Sequence, residues 1–185
     1  MNAVGSCNRA QGNYDEAISW HKKARQLHLR QDHSPDRDEN VAINLYYLSL
    51  DHDEQGCWTE ATKLCLESIE MEKKRLFPNH TFIAIRTMRL GSYEIKTARL
   101  EESMTHLQTA FSHLQKELPT SHYTADCHFY LAKLFLAMKE VCQASIHVEK
   151  CFEIRKTIFP VGHCKIRDAE CLRQDIRELN ANASD

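Results

Sequence analysis

The hexapeptide Gly56-Cys57-Trp58-Thr59-Glu60-Ala61 decides the fold. It begins with a turn residue, has an apolar residue two places later, and ends on a small residue. The same arrangement recurs in Gly12-Asn13-Tyr14-Asp15-Glu16-Ala17, Ala98-Arg99-Leu100-Glu101-Glu102-Ser103 and Lys139-Glu140-Val141-Cys142-Gln143-Ala144. The closing small residues are 44, 42 and 41 positions apart, so the chain contains an internal repeat.

A second marker keeps the same period. It is a proline followed shortly by a histidine, in Phe77-Pro78-Asn79-His80, Leu118-Pro119-Thr120-Ser121-His122 and Phe159-Pro160-Val161-Gly162-His163. Proline lacks the amide hydrogen and crowds the preceding turn, so each of these prolines is expected to end a helix. We expect the histidines to cap or hydrogen-bond the junction before the next helix.

The segments between the markers have helical periodicity. In residues 60–76 the small and apolar side chains recur at spacings of three and four, at Ala61, Leu64, Cys65, Ser68, Ile69 and Met71. The preceding segments 40–55, 82–97 and 123–138 are also apolar and long enough for helices. Each unit is therefore predicted to be two antiparallel helices, A and B. One such hairpin cannot bury its apolar faces, so the hairpins must stack as a solenoid.

Small residues on the predicted helices pair at a separation of 12, as Ser49 with Ala61, Gly91 with Ser103, and Ala132 with Ala144. Small groups at facing positions let two helix axes approach closely. This pairing resembles the tetratricopeptide repeat, although the period exceeds the usual length of about 34 residues. The longer helices and the linkers with proline and histidine resemble the kinesin light chain and nephrocystin type. The best stretch, residues 41–50, is similar to the Val-Ala-x-x-Leu-Asn-Asn-Leu-Ala helix of that type.

The resemblance implies an all-α, right-handed α-solenoid of about three and a half hairpins plus a C-terminal capping helix. We predict one repeat domain over residues 1–179, with repeats at 1–37, 38–79, 80–121 and 122–162, a cap at 163–179 and a disordered tail at 180–185. The cap carries one apolar stripe, at Ile166, Ala169, Leu172, Ile176 and Leu179. Gly5 falls at the small position of a first helix A that has only four residues before it. Two interpretations of this stub stay open: missing N-terminal repeats and self-association.

The resemblance also implies where a partner binds. In that type, paired asparagines on helix A line a concave groove and reach the backbone of a bound peptide. Here the corresponding pairs are Tyr46-Tyr47, Met88-Arg89 and Phe129-Tyr130, with Lys96 and Lys133 on the same predicted face. Aromatic residues and arginine dominate binding hot spots, and cations favour an acidic ligand. We therefore predict a protein or peptide partner that is acidic and carries an aromatic anchor. In the alternative interpretation, Tyr47 and Tyr130 pack within their own hairpins.

Composition limits the other function classes. Hydrophobic residues make up 42% and charged residues 27%, with only 5 Gly and 4 Pro, which is globular and poor in tight turns. The formal charge of −2 gives no support for nucleic-acid binding. No run of 18 apolar residues and no secretory signal is visible, so we expect no membrane span, a cytoplasmic location and reduced thiols.

Catalysis, cofactors and metals are not expected. The 8 Cys form no Cys-x-x-Cys pair, and no glycine-rich phosphate loop occurs. His147 and Cys151 could share one helix face as metal ligands, but Cys151 falls at a small inward position, which favours packing. The sequence thus predicts a non-enzymatic scaffold or adaptor. Alternatives are a structural or oligomerisation module, and the C-terminal repeats of a methyltransferase of the SET and MYND class, which also have histidine-containing linkers.

Overall fold

The computed structural model describes residues 1–30, 35–77 and 80–182. Over these residues the chain forms nine helices and no strand, which confirms the predicted all-α fold. The helices are α1 (Asn2–Ala10), α2 (Tyr14–Leu29), α3 (Pro35–Glu54), α4 (Trp58–Arg75), α5 (Thr81–Lys96), α6 (Leu100–Glu117), α7 (His122–Ala137), α8 (Val141–Ile158) and α9 (Cys164–Asn182).

Consecutive helices pack as hairpins. The odd-numbered helices α1 to α7 are the A helices and the even-numbered ones are the B helices, while α9 packs on α8. From α3 to α7 each A helix contacts the B helix of its own hairpin and the B helix before it. The largest apolar cluster therefore lies between α5, α6 and α7, where Met88, Leu107, Leu114 and Leu131 meet. This is the stacked core that one hairpin could not form alone.

The first residue of the recurring hexapeptide is the turn between helix A and helix B. Gly12 and Gly56 have φ of +82° and +75°, and the equivalent Ala98 and Lys139 have φ of +59° and +64°. Glycine enters this left-handed region without the clash that a Cβ atom causes. In each turn the next amide donates to a carbonyl five residues back, as Cys57 N does to His52 O at 2.8 Å. The repeat marker is therefore a helix cap.

The small residues lie where helices cross closely, as predicted. Ala61, Ala132 and Ala144 are fully buried. A Cβ atom added to Gly91 would lie 2.7 Å from Leu107 Cγ, and one added to Gly5 would lie 2.5 Å from Nε2 of the His21 ring. Neither site has room for a methyl group, so the small residues determine how closely A and B pack.

The linker histidines behave as expected at two of three junctions. His80 Nδ1 accepts a hydrogen bond from Phe82 N at 3.3 Å, and His163 Nδ1 accepts one from Lys165 N at 3.2 Å. At the third junction Ser121 is the N-cap and its hydroxyl accepts from Thr124 N at 3.2 Å. Serine is a preferred N-cap residue, and His122 becomes the first residue of α7 instead. Pro78 and Asn79 of the predicted linker lie outside the described residues.

The last helix is longer than the predicted cap. Ala169 and Ile176 of its stripe are fully buried, but Leu179 is 48% exposed, so the buried stripe ends at Ile176. Helix α9 continues to Asn182 and includes residues 180–182, which the sequence pattern assigned to a disordered tail. Residues 183–185 of that tail lie outside the described part of the chain.

Candidate functional site

Seven of the eight predicted binding residues reach the surface of α3, α5 and α7. We call this surface the A-helix face; it is defined by Tyr46, Tyr47, Arg89, Lys96, Phe129, Tyr130 and Lys133. The eighth residue, Met88, is fully buried in the apolar cluster between α5, α6 and α7. Met88 supports the surface from below and offers no atom to a ligand.

Tyr47 and Tyr130, which the alternative interpretation places within their own hairpins, instead contact the preceding repeat. Tyr47 stacks on the ring of His21 in α2, with centroids 5.2 Å apart. Tyr130 accepts a hydrogen bond from Nη1 of Arg89 in α5, and the Arg89 guanidinium lies 5.6 Å from the Tyr130 ring centroid. These rings therefore lie at the joints between repeats. Burial raises the pKa of the nearby Tyr46 hydroxyl to about 12, so it stays neutral in neutral solution.

Polar links join consecutive A helices, and α7 to α9, either on this face or buried beneath it. The linked residues are 39 to 44 positions apart, about one repeat. The pairs are Arg9 with Asp51, Ser49 with Tyr93, Lys96 with Asp53, Arg89 with Tyr130, and Lys165 with Asp126. Each joint from α1 to α9 thus has at least one such link, and we call the set the A-helix ladder.

The charges on the face concentrate around Asp126, which is 3% exposed. Arg155 Nη2 donates to Oδ1 at 2.9 Å, Lys165 Nζ donates to Oδ2 at 2.5 Å, and Arg89 Nη2 lies 4.0 Å from Oδ2. Burial alone would raise the pKa of Asp126, but Lys165, Arg89 and Arg155 hold that pKa below its ordinary value. One carboxylate among three cations leaves this end of the face positively charged.

Lys96 and Lys133 differ in their surroundings. Lys96 Nζ donates to Asp53 Oδ1, so its charge is already matched. Lys133 Nζ lies 4.7 Å from the centroid of the Phe129 ring and has no ion pair with any described residue. Burial, together with the charges of Lys96 and Arg155, holds the pKa of Lys133 below its ordinary value. Lys133 therefore remains available for an ion pair with a ligand.

An adjoining cavity of about 230 Å³ lies between α3 and the first turns of α5 and α7, beside the end of α4. Its lining combines aromatic, aliphatic and ion-paired residues: Glu39, Ile43, Tyr46, Tyr47, Glu72, Phe82, Ile85, Arg86 and Tyr123. Of these, Glu39, Glu72, Phe82, Arg86 and Tyr123 were not predicted from the sequence. Arg86 lies three positions before Arg89, one helical turn away, so extending the predicted stripe by one turn would have found it.

The cavity is close to neutral because its charges are paired. Arg86 Nη1 lies 2.8 Å from Glu72 Oε1, and both side chains are almost fully buried. Arg75 bridges the two carboxylates, at 3.2 Å from Glu72 and 3.4 Å from Glu39. The Arg86 guanidinium also lies 5.3 Å from the Tyr46 ring centroid. A ligand in this cavity would therefore contact mainly aromatic and aliphatic side chains.

The histidines and cysteines form no metal centre among the described residues, where no group of three or more His, Cys, Asp or Glu side chains could hold an ion. Cys151 is fully buried, as its predicted packing role requires. His147 instead faces His128, with the two Nδ1 atoms 2.9 Å apart. Burial lowers the pKa of His128 to about 4 and also lowers that of His147, so both rings are neutral near pH 7.

No helix in the described part of the chain is long and apolar enough to cross a membrane.

Comparison with known proteins agrees with this architecture. Residues 1–74 match the family model for the tetratricopeptide repeat. No curated protein sequence matches the chain.

Several solved structures match almost the whole chain, among them these two. One is a structure of nearly identical TPR-like repeats from a Podosopora anserina protein assigned as a kinesin light chain. It has a TM-score of 0.74 and 15% sequence identity, and the match covers 98% of this chain and 85% of that one. The other is BtubC (BKLC) from P. vanneervenii, with a TM-score of 0.71 and 13% identity, over 98% of this chain and 78% of that one. These findings confirm the resemblance to tetratricopeptide repeats of the kinesin light chain type, and at such identities the structures show the fold.

Proposed function

We propose that this chain is a non-catalytic adaptor whose A-helix face binds an acidic, extended segment of a partner protein. Its likeness to tetratricopeptide repeats supports a role in protein–protein interaction, since stacked repeats present extended concave surfaces that suit this task. The eight free cysteines fit a reducing compartment such as the cytoplasm. A scaffold or adaptor of this kind requires no cofactor.

The observation that carries the proposal is the positive end of the A-helix face. Asp126 is in contact with Arg155 and Lys165 and lies 4.0 Å from Arg89, while Lys133 forms no ion pair with a described residue and has Asp168 as its main acidic neighbour. An acidic side chain of a ligand would therefore meet cations whose charge is not fully matched. Such complementarity steers a ligand and orients it, while apolar contact supplies most of the affinity.

The cavity between α3, α5 and α7 provides that apolar contact. Its volume of about 230 Å³ is smaller than most small-molecule sites, which span roughly 300–1,000 Å³, and suits one large side chain. Tyr46 joins it to the positive end, because Tyr46 lines the cavity and its hydroxyl is close enough to Arg89 for the guanidinium to act on its pKa. Tyr123 lines the cavity one helical turn before Asp126. One extended peptide would place an aromatic anchor in the cavity and acidic residues beside Lys133.

A fluorescence-polarisation titration tests the proposal. The probe is a labelled peptide with one tryptophan and several glutamates, and its matched control has glutamine in place of each glutamate. We expect the acidic peptide to bind more tightly, with a difference that shrinks as salt is added. Lys133→Glu should weaken binding by about fivefold or more, because it reverses an available cation.

Lys116→Glu is the matched control variant. Lys116 is exposed on helix B α6, away from the A-helix face, so its reversal changes net charge equally. If Lys116→Glu weakens binding as much as Lys133→Glu, or if the glutamine peptide binds as tightly as the acidic one, the A-helix face is not the site.

A further inference from the structure

A second groove runs along the outward side of helix B α4. It encloses about 670 Å³, more than twice the volume of the cavity beside the A-helix face. It extends from Thr59 to Lys74 and is lined by α4 residues at spacings of three and four. At 1.5 Å per residue this is about 22 Å, or four helical turns. We call it the α4 groove.

The floor of the α4 groove is apolar. Leu66 is 39% exposed, Met71 is half-buried beside it, and the buried Leu45 of α3 lies beneath. An exposed leucine alone is ordinary at a protein surface, but a groove of this length along one helix, with Leu66 and Met71 at its centre, has the shape that accepts another helix. Amphipathic helices bind such grooves through apolar residues at every third and fourth position.

The rim of the groove has excess positive charge. Four cations line it, Arg25, Lys63, Lys74 and Arg99, against the two carboxylates of Glu67 and Glu70. Both carboxylates already have a cation nearby: Glu67 lies 3.8 Å from Arg25, and Glu70 lies 3.1 Å from Lys73. Lys63 and Lys74 form no ion pair with a described residue. The unmatched charge therefore lies beside the apolar floor.

We infer that the α4 groove receives an amphipathic helix of a partner protein, about four turns long, with leucine-like residues against Leu66 and acidic residues flanking them toward Lys63 and Lys74. The length of the groove fits a helix, and Lys63 and Lys74, which have no ion pair with a described residue, favour acidic residues at the flanks of that helix. This surface lies on a helix B, whereas the proposed peptide site lies on A helices. The chain would thus hold two partners at once, one on each layer of the solenoid.

The test uses a displayed library of helical peptides about 16 residues long, with leucine fixed at every third or fourth position and glutamate, glutamine or lysine varied at the flanking positions. Selection on the full chain should enrich glutamate at the flanks. The enriched peptide is then made synthetically and titrated. Leu66→Asp and the double variant Lys63→Glu with Lys74→Glu should each weaken its binding by about tenfold or more.

Two variants keep the test specific. Ile146→Asp changes a 58% exposed apolar residue on helix B α8 and should leave binding at the parent value. Lys133→Glu should also leave it unchanged, which separates this inference from the proposed peptide site. The inference is overturned if the flanks show no acidic preference, or if Ile146→Asp weakens binding as much as Leu66→Asp. It is equally overturned if sedimentation shows that the parent self-associates through this groove and Leu66→Asp does not, because the occupant is then a second copy.

Discussion

Ser103 Oγ donates a hydrogen bond of 2.8 Å to the carbonyl oxygen of Gly91, twelve residues earlier, where α5 crosses α6. Both residues belong to the small-residue pairs that identified the repeat. Gly91 faces Leu107 so closely that its missing Cβ is what permits the contact. The pair therefore joins the sequence signal to the physical cause of the packing.

Gly91→Ala should destabilise the protein by about 1–3 kcal/mol, because the added Cβ would lie 2.7 Å from Leu107 Cγ. Urea unfolding followed by circular dichroism measures this. The direction of the change in stability distinguishes the two cases, because replacing glycine by alanine in an unhindered helix interior would stabilise the protein by up to about 1 kcal/mol. A more stable Gly91→Ala variant would show that α5 and α6 are not in close contact there.

Ala98→Gly and Lys139→Gly should each raise the melting temperature. Both residues have positive φ at the turn position where the other two repeats have glycine. Releasing a left-handed Cβ clash is worth roughly 1 kcal/mol, reduced by the greater freedom that glycine gives the unfolded chain. Ala137→Gly, at the end of α7, is the control and should lower the melting temperature. The turn assignment fails if all three variants melt lower than the parent.

Stability should fall as pH falls from about 6.5 toward 4. Burial lowers the pKa of His128 in the folded state to about 4, with smaller effects from His147 and Lys150, while the unfolded value is 6.5. Between these values the unfolded chain binds more protons than the folded chain. The contribution of neutral His128 to the free energy of unfolding is therefore complete above the unfolded pKa and is lost on acidification. The loss should be on the order of 2–3 kcal/mol. Urea midpoints measured across this range for the parent and for His128→Gln check it; equal slopes would contradict the assignment.

Asp126→Asn should destabilise the protein by about 3–5 kcal/mol, because it leaves the buried Arg155 without its charged partner. The same substitution removes the carboxylate that pairs with Lys165. Combining Asp126→Asn with Arg155→Met should cost less than the two single changes added together, since neither charge then stays unpaired. A double-mutant cycle from denaturant unfolding provides the comparison, and strict additivity would mean that the pair does not interact.

The fold follows from short-range patterns, and the site depends on contacts one repeat apart. The hexapeptide turn, the proline that ends a helix and the pair of small residues each act within one hairpin, so the sequence alone indicates them. Whether Lys96 is available to a ligand depends on Asp53, 43 residues earlier, which accepts its hydrogen bond. Whether the Tyr130 hydroxyl is available depends in the same way on Arg89, 41 residues earlier. A stripe on a single helix cannot show whether a cation is already paired with the neighbouring repeat. Comparing residues about one period apart would have indicated both pairs.

The burial of Met88 has the same origin. Its position matches Tyr46 and Phe129 in the repeat register, yet those rings reach the surface while Met88 is covered. Leu107 in α6 and Leu131 in α7 enclose its flexible side chain. The position in the repeat shows which face of helix A a residue lies on. The size and shape of the residues in adjacent helices determine whether its side chain is exposed, as for Tyr46 and Phe129, or covered, as for Met88.

The A-helix ladder makes the mechanical response of the array one-sided. All of its links lie on the same layer of the solenoid, so a force that opens that face must stretch hydrogen bonds and ion pairs at several joints together. A force that closes the face shortens the same distances, and on the layer of B helices it stretches the ion pair of Arg25 in α2 with Glu67 in α4. With five polar links on the A layer, we expect thermal bending to narrow the A-helix face more readily than it widens it.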